Sequence, residues 1–366
     1  MKMHATKICF IFYFLIFSSV SLANINNLLQ SIQTDYENRL DALFKDFHAH
    51  PELSLAEFST AKKIAKALRG HGFQVTENVG GTGVVALLKN GSGPLVMMRA
   101  DMDGLPLKEK TNLSYSSKDM QLDPVTGNTF PVMHACGHDV HITALIGTAK
   151  QMVDLKDYWR GTLMLIAQPA EERVLGAKNM MNDNLWERFG QPDYALAFHV
   201  SSMLPSGVIN VVNGSPYAGA DTVDIYVHGI GAHGASPHTG KDPIVLGSQI
   251  VNSLQTLVSR ELPPRQPGVV TVGAFHSGTK HNIISDQAHL QLTVRNTSEK
   301  TRDTLLNGIK RISENLGRAA GLPEDKLPEV VVSEESTPPT LNDEKLAIRL
   351  RGLWKEKMGT DQVTSY

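Results

Sequence analysis

The amino-acid sequence predicts an α/β protein, a mostly parallel sheet flanked by helices, interrupted by an inserted α+β unit of ferredoxin-like βαββαβ order. Three observations lead there. Short apolar runs at 84–89, 95–98, 163–167 and 194–199 alternate with helical stretches, as strands buried between helices do. From about Ala218 the rhythm changes to strand, helix, two strands, helix and strand over 218–333. Finally, four segments rich in metal-ligand chemistry cluster around the apolar runs: Arg99-Ala100-Asp101-Met102-Asp103, His134-Ala135-Cys136-Gly137-His138-Asp139, Gln168-Pro169-Ala170-Glu171-Glu172 and Phe198-His199. Ligands of open α/β sheets gather at the carboxyl ends of the strands, so these segments are expected to converge.

Taken in order, residues 1–23 differ from the rest. Lys2 and Lys7 make a basic start, 8–17 is an apolar run, and Ser21-Leu22-Ala23 offers small residues for cleavage. This is the pattern of a secretory signal peptide, its core too short for a comfortable membrane span; an uncleaved anchor is the other reading. The expected location is therefore exported, periplasmic or secreted. Cleavage would leave 33 basic and 37 acidic residues, a net charge of −4, which points away from nucleic acid and from an anionic membrane surface as partners. It would also leave Cys136 as the one thiol, with no internal disulfide.

Residues 28–47 repeat apolar side chains at helical spacing, and a helix over 56–69 stops at Gly70 and Gly72. Strands over 84–89 and 95–98, a helix over 142–153, and strands over 163–167 and 194–199 complete the first part. In the insert, 222–228 alternates as a strand, Asp242 caps and Pro243 opens a helix to about 260, and strands follow at 269–275 and 288–295. Ser298 caps the next helix, 329–333 is a strand, and 341–358 is again helical. The predicted domains are a metal-binding domain of 24–217 with 334–366, and the insert 218–333.

Cys136 and His138 stand two apart just before a helix, whose N-terminus favours the thiolate. With His134, Asp139 and His141 around them, ligation explains them better than a small buried hydrophobe would. Glu171 and Glu172 are adjacent, so their side chains diverge: one can bind metal while the other takes the proton of the attacking water. His199 ends an apolar strand, and Asp101 and Asp103, flanking Met102, suit the orienting of a ligand histidine. Thiolate and imidazole permit zinc, and a carboxylate-rich set also permits manganese, cobalt or nickel. The chemistry to expect is metal-assisted hydrolysis.

These segments resemble the M20 metallopeptidases, in the branch of hippurate hydrolases, N-acyl-amino-acid amidohydrolases and auxin-conjugate hydrolases. The resemblance is carried by His50-Pro51-Glu52-Leu53-Ser54, by 99–106, 134–139 and 168–172, and in the insert by Gly231-Ala232-His233, Ser236-Pro237-His238, Asp242-Pro243, Ser277-Gly278 and Asn282. It implies a metal-dependent exopeptidase-like fold with two divalent metal ions, ligands Cys136, His138, Glu172 and His199, and Glu171 as general base. The insert would be a lid that closes over a small N-acyl amino acid or peptide and joins two copies as a homodimer. His233, Asn282 and Arg295 would contact the substrate's carbonyl and carboxylate, with His233 offered to the partner subunit's active site.

Two departures enter the expectation. The family's Asn-x-Ile-Pro reads Asn282-Ile283-Ile284-Ser285, and no histidine follows His289, whereas the family continues for several dozen residues to a final ligand histidine. One ion would then be held more tightly than the other. A catalytically impaired truncated relic and a binding protein that retains the pocket stand as alternatives; an intact Glu171 speaks against the second.

Overall fold

A computed structural model of the chain describes residues 27–365, in two compact units that divide between Ser201 and Ser202. The expected signal peptide lies outside the described residues. The strands of the first unit are β1 (Gln74–Val79), β2 (Gly83–Asn90), β3 (Leu95–Asp101), β4 (Met120–Leu122), β5 (Thr129–Pro131), β6 (Gly161–Gln168) and β7 (Tyr194–Ala197). Its helices are α1 (Asp41–Ala49), α2 (Phe58–Gly70), α3 (His138–Asp154), α4 (Gly176–Asn182) and α5 (Leu185–Phe189).

Five strands form one sheet in the order β1-β2-β6-β3-β7, with β4 and β5 a separate hairpin. β3 runs parallel to β6 and β7, whereas β2 is antiparallel to β6 and to β1. The expected mostly parallel sheet is thus a mixed one. The reason is local: Gly80 and Gly81, both at positive φ, turn β1 directly into β2, and so short a link permits only antiparallel pairing. β6 inserts between β2 and β3 through Gly161, where a Cβ would lie 2.3 Å from the carbonyl oxygen of Pro94.

The continuous apolar runs of β2 and β6 follow from burial on both faces, whereas β7, at the sheet edge, is largely exposed. Val84, Ala86, Leu163 and Leu165 face Phe47, Ile64, Leu68, Leu145 and Ile146 of the first three helices. Val85, Met164 and Ile166 face the other way, onto Met180 and Leu185. Side chains alternate along a strand, so a strand covered on both faces has no polar positions. Glu52, in the segment before α2, accepts from Ser59 N at 3.1 Å and Thr60 N at 2.7 Å, capping that helix's first turn.

The second unit carries β8 (Ile209–Asn210), β9 (Gly214–Tyr217), β10 (Gly219–His228), β11 (Ala232–His233), β12 (Gly268–Ser277), β13 (Ile283–Ile284), β14 (Gln287–Asn296), β15 (Glu329–Val332), β16 (Thr340–Asn342) and β17 (Val363–Thr364). Helices α6 (Pro243–Thr256), α7 (Glu299–Ala319) and α8 (Glu344–Met358) complete it. The chain order β10, α6, β12, β14, α7, β15 is the βαββαβ order read from the sequence, and the sheet order is β12-β14-β10-β15. One face of this sheet, with Val223, Ile225, Val227, Leu290 and Leu292, packs on Leu246, Ile250, Leu254, Leu305 and Ile309 of the two helices. Residues 202–217 and 334–366, which the sequence reading groups with the metal-binding domain, pair with each other inside this second unit: β9 with β16 and β8 with β17. No described helix is long and apolar enough to cross a membrane.

Both caps expected in the insert are present. Asp242 Oδ1 accepts from Ile244 N at 2.8 Å, and Ser298 Oγ accepts from Thr301 N at 3.2 Å. Asp242→Ala should cost about 0.5–2 kcal/mol, read as a lower denaturation midpoint without a change in slope. A midpoint equal to that of the wild type would show the cap to be dispensable.

Candidate metal centre

Parallel pairing assembles the first unit's site. Asp101 lies opposite Gln168, and Arg99 opposite Ala197, so β3, β6 and β7 end side by side. The residues that follow each strand, Met102-Asp103, Pro169 to Glu172 and Phe198-His199, therefore emerge at one edge. The N-terminus of α3 supplies the rest: Gly137, at φ 82°, turns the chain so that Cys136 and His138 flank it, and a Cβ there would meet Val200 Cγ2 at 2.3 Å.

His138 is fully buried, and its Nδ1 donates to Asp103 Oδ1 at 3.2 Å. Its Nε2 has no hydrogen-bond partner; neither has the buried Glu172 Oε1, 3.8 Å away. Glu171 Oε2 is also 3.8 Å from His138 Nε2. Two groups of potential ligand atoms, each within 4.8 Å of one another, share this histidine: Cys136, His138 and Glu172, and Asp101, His138, His141 and His199. Cys136 Sγ and His199 Nε2 are 3.5 Å apart.

Hydrogen bonding separates ligands from supports. Asp101 Oδ1 accepts from His141 Nδ1 and Oδ2 from Arg99 Nη1, each at 2.5 Å, while His141 Nε2 accepts from Val200 N at 3.0 Å. These atoms are already occupied, so Asp101 and His141 hold others in place. Asp101 acts through His141 on the peptide next to His199; Asp103 is the carboxylate that orients His138. Asp103 Oδ2 also accepts from Ser54 Oγ at 2.6 Å and from Glu172 N at 3.0 Å. His141 is the supporting residue that the sequence reading left unassigned. Its signal was its place three residues after His138, on the same face of α3.

The electrostatics call for a cation. Contacts with His138 and then His199 pull the Cys136 thiol down to about 6, against burial. Burial, then the Cys136 charge, pushes Glu172 up to about 8. Burial opposes a charge on His138, but Asp103, Cys136 and Asp101 outweigh it and push its pKa up to about 11, the mark of a strongly anionic surrounding. Leaving a buried polar atom unpaired costs about 1–3 kcal/mol, and a divalent cation held by His138 and Glu172 would relieve that cost at both. Thiolate, imidazole and carboxylate suit zinc or a neighbouring divalent metal. The residues present fit the group.

A family model described as peptidase family M20/M25/M40 matches residues 97–365. The chain belongs to this family. It is 36% identical over 334 residues to a hippurate hydrolase of Campylobacter jejuni, covering 91% of this chain and 82% of that one. An N-acyl-L-amino acid amidohydrolase of Geobacillus stearothermophilus is 36% identical over 299 residues, 81% and 76% of the two chains. Among solved structures, a dinuclear metal-binding M20 peptidase of Bacillus subtilis superposes with a TM-score of 0.74 at 29% identity, covering 91% of this chain and 82% of that one. M20 members hydrolyse amide bonds, and the chain is an enzyme of this kind that uses divalent metal.

The three remaining candidates lie in the second unit. β11 pairs with β13, His233 opposite Ile283, which brings His233 beside Asn282; Gly234 N donates to Asn282 O at 2.8 Å. His233 Nδ1 accepts from Ala235 N at 3.1 Å, so the ring proton sits on Nε2 of this exposed side chain. Arg295 is not brought to them. It stands opposite Ala220 and Val269 near the far end of β14, eight residues past Gln287, roughly 26 Å along the strand. Where the family has proline, Ser285 Oγ donates to Gln287 O at 3.0 Å and closes the turn after β13.

Beside the centre, His48 Nδ1 lies 2.6 Å from Asp139 Oδ2 and Nε2 lies 3.1 Å from Glu109 Oε1. Burial disfavours the imidazolium, but the two carboxylates outweigh it and raise its pKa above the ordinary value. A group raised on folding stabilises fully below its unfolded pKa, about 6.5, and loses that contribution as pH climbs through the folded value. The stability gap between wild type and His48→Gln, from denaturant titrations across this range, should therefore narrow as pH rises. A gap independent of pH would refute the paired imidazolium. In Cys136→Ser, metal per chain measured by mass spectrometry should fall, because a hydroxyl poorly replaces a thiolate. Unchanged stoichiometry would return Cys136 to the core.

Proposed function

We propose that the chain hydrolyses the amide bond joining an acyl group to an amino acid or small peptide that bears a free carboxylate. The observation that carries this is the convergence of the unpartnered His138 Nε2 and Glu172 Oε1 with Glu171 at one sheet edge. The names of the relatives, a hippurate hydrolase and an N-acyl-L-amino acid amidohydrolase, support the substrate class. Cys136, His138, Glu172 and His199 would hold the metal, zinc or manganese foremost, with cobalt and nickel compatible. The bound ion would acidify water and polarise the scissile carbonyl.

Glu171 would do the proton transfer. Its side chain is more open than that of Glu172, 36% exposed against 19%, so water and substrate can reach it. Burial raises its pKa, which moves a carboxylate toward the basicity that proton transfer near neutral pH requires. It would take the proton of the attacking water and deliver it to the leaving amine. By the resemblance, His233, with its proton on Nε2, would donate to the carbonyl oxygen and Asn282 beside it would bind a substrate oxygen, whereas the place of Arg295 near the far end of β14 takes it out of that set. A homodimer through the lid is supported by exposed Ile244 and Val245 on α6 and by Val269 and Phe275 on the edge strand β12. Export rests on the signal-like pattern of residues 1–23.

The test is Glu171→Gln on N-acyl amino acids. Turnover should fall by about 10²–10⁴ while metal content stays that of the wild type. Metal loss as large as in Glu172→Gln would reverse the two roles.

A further inference from the structure

Glu57 is fully buried, and nothing in the hydrolysis just described uses it. It precedes α2, yet its Oε1 accepts from the backbone N–H of Ala170 at 2.7 Å, 113 residues later in the chain. Its Oε2 accepts from Thr82 Oγ1 at 2.6 Å, which fixes the carboxylate's orientation. Ala170 is the residue before Glu171, and it stands at φ 43°, a left-handed conformation that costs a non-glycine residue about 1–2 kcal/mol. Its carbonyl is gripped too, by Leu175 N at 3.2 Å and Gly176 N at 3.1 Å. Gly176 packs so closely that a Cβ would fall 1.5 Å from the carbonyl oxygen of Pro169. On the other side of Glu171, the amide of Glu172 is tied to Asp103 Oδ2 at 3.0 Å. The backbone of Glu171 is thus clamped between two peptide groups, each held by a buried carboxylate.

We propose that Glu57 is a positioning residue for Glu171: by holding the Ala170 peptide in its left-handed conformation it sets the direction in which Glu171 leaves the backbone toward the metal centre. The inference rests on Glu171 being the base. Asp103 holds a ligand histidine as well as the Glu172 amide, so its loss would disturb metal and base together. Glu57 touches neither a ligand side chain nor any ligand's amide, and its effect should fall on proton transfer alone. Burial pushes the Glu57 carboxyl up to about 6 against the hydrogen bonds from Thr82 and Ala170, so near neutral pH its ionised form is kept buried at a cost in stability. A staple that served the fold alone would be better built from an apolar pair.

The test compares Glu57→Ala, Glu57→Gln and Glu57→Ala/Ala170→Gly with the wild type on N-benzoylglycine and N-acetyl amino acids, with metal per folded chain measured in parallel. Glu57→Ala should lower kcat by roughly 10–100-fold, the scale of an ångström-level misplacement, with KM and metal content near wild type. Glu57→Gln should stay within about threefold, since its oxygen still accepts from Ala170 and its amide can donate to Thr82. Adding Ala170→Gly should recover part of the lost kcat, because glycine adopts φ 43° without being held there; a purely structural role for Glu57 would give no such rescue. Wild-type kcat in Glu57→Ala, or a loss that tracks metal or folded fraction, would overturn the proposal. If Glu57→Ala does not fold, Thr82→Val, which removes only the hydroxyl on Oε2, decides: kcat lowered at constant KM supports the clamp, and unchanged kcat overturns it. Glu171→Gln alongside separates the two claims. Full turnover there removes the base itself, whereas an inactive Glu171→Gln beside a fully active Glu57→Ala removes only the positioning.

Discussion

The parallel register of β3 with β6 and β7 is the constraint on which the site depends. It sets Asp101 beside Gln168 and Arg99 beside Ala197, so three chain segments leave the sheet at one level. A slip of one residue would turn the side chains at the strand ends to the opposite face and disperse the centre. β6, at the centre of the sheet, is buried on both faces, through Leu163 and Leu165 on one and Met164 and Ile166 on the other, and β3 beside it ends on the buried Ala100 and Asp101. The apolar core thereby supports a cluster of charges that would not hold itself together.

That cluster divides its labour between carboxylates. Asp103 orients His138 and holds the Glu172 amide. Asp101, fixed by Arg99, orients His141, which holds the amide of Val200 next to His199. Each supporting carboxylate has its lone pairs filled by donors, while His138 Nε2 and Glu172 Oε1 are left unpartnered. Carboxylates whose oxygens accept hydrogen bonds hold the arrangement together, while the chemistry of His138 Nε2 and Glu172 Oε1 suits a cation.

The second unit follows a different rule. Its sheet is covered on one face only, so its strands alternate, and its helices start at side-chain caps on Asp242 and Ser298. Such a unit can present an open sheet face and an edge strand without giving up its core. His233 and Asn282 lie together on the small β11–β13 ladder, apart from the far end of β14 where Arg295 stands.

By itself the sequence determined what is local. Strand runs, the βαββαβ order, the caps on Asp242 and Ser298, and the segments holding Cys136, His138, Glu171, Glu172 and His199 were legible because periodicity, capping and spacing act over a few residues. The tertiary structure decided what depends on contacts between distant segments. The antiparallel β1–β2 edge, the pairing of β8 with β17 and β9 with β16, and the distance of Arg295 from Asn282 all turn on which strand lies beside which. So does the choice of Asp103 over Asp101 for His138, because the two carboxylates stand only two residues apart and the position of α3 tells them apart. Glu57 is the clearest case: in the sequence it is one acid before a helix, and its meaning comes from an amide 113 residues away that only the folded sheet brings to it.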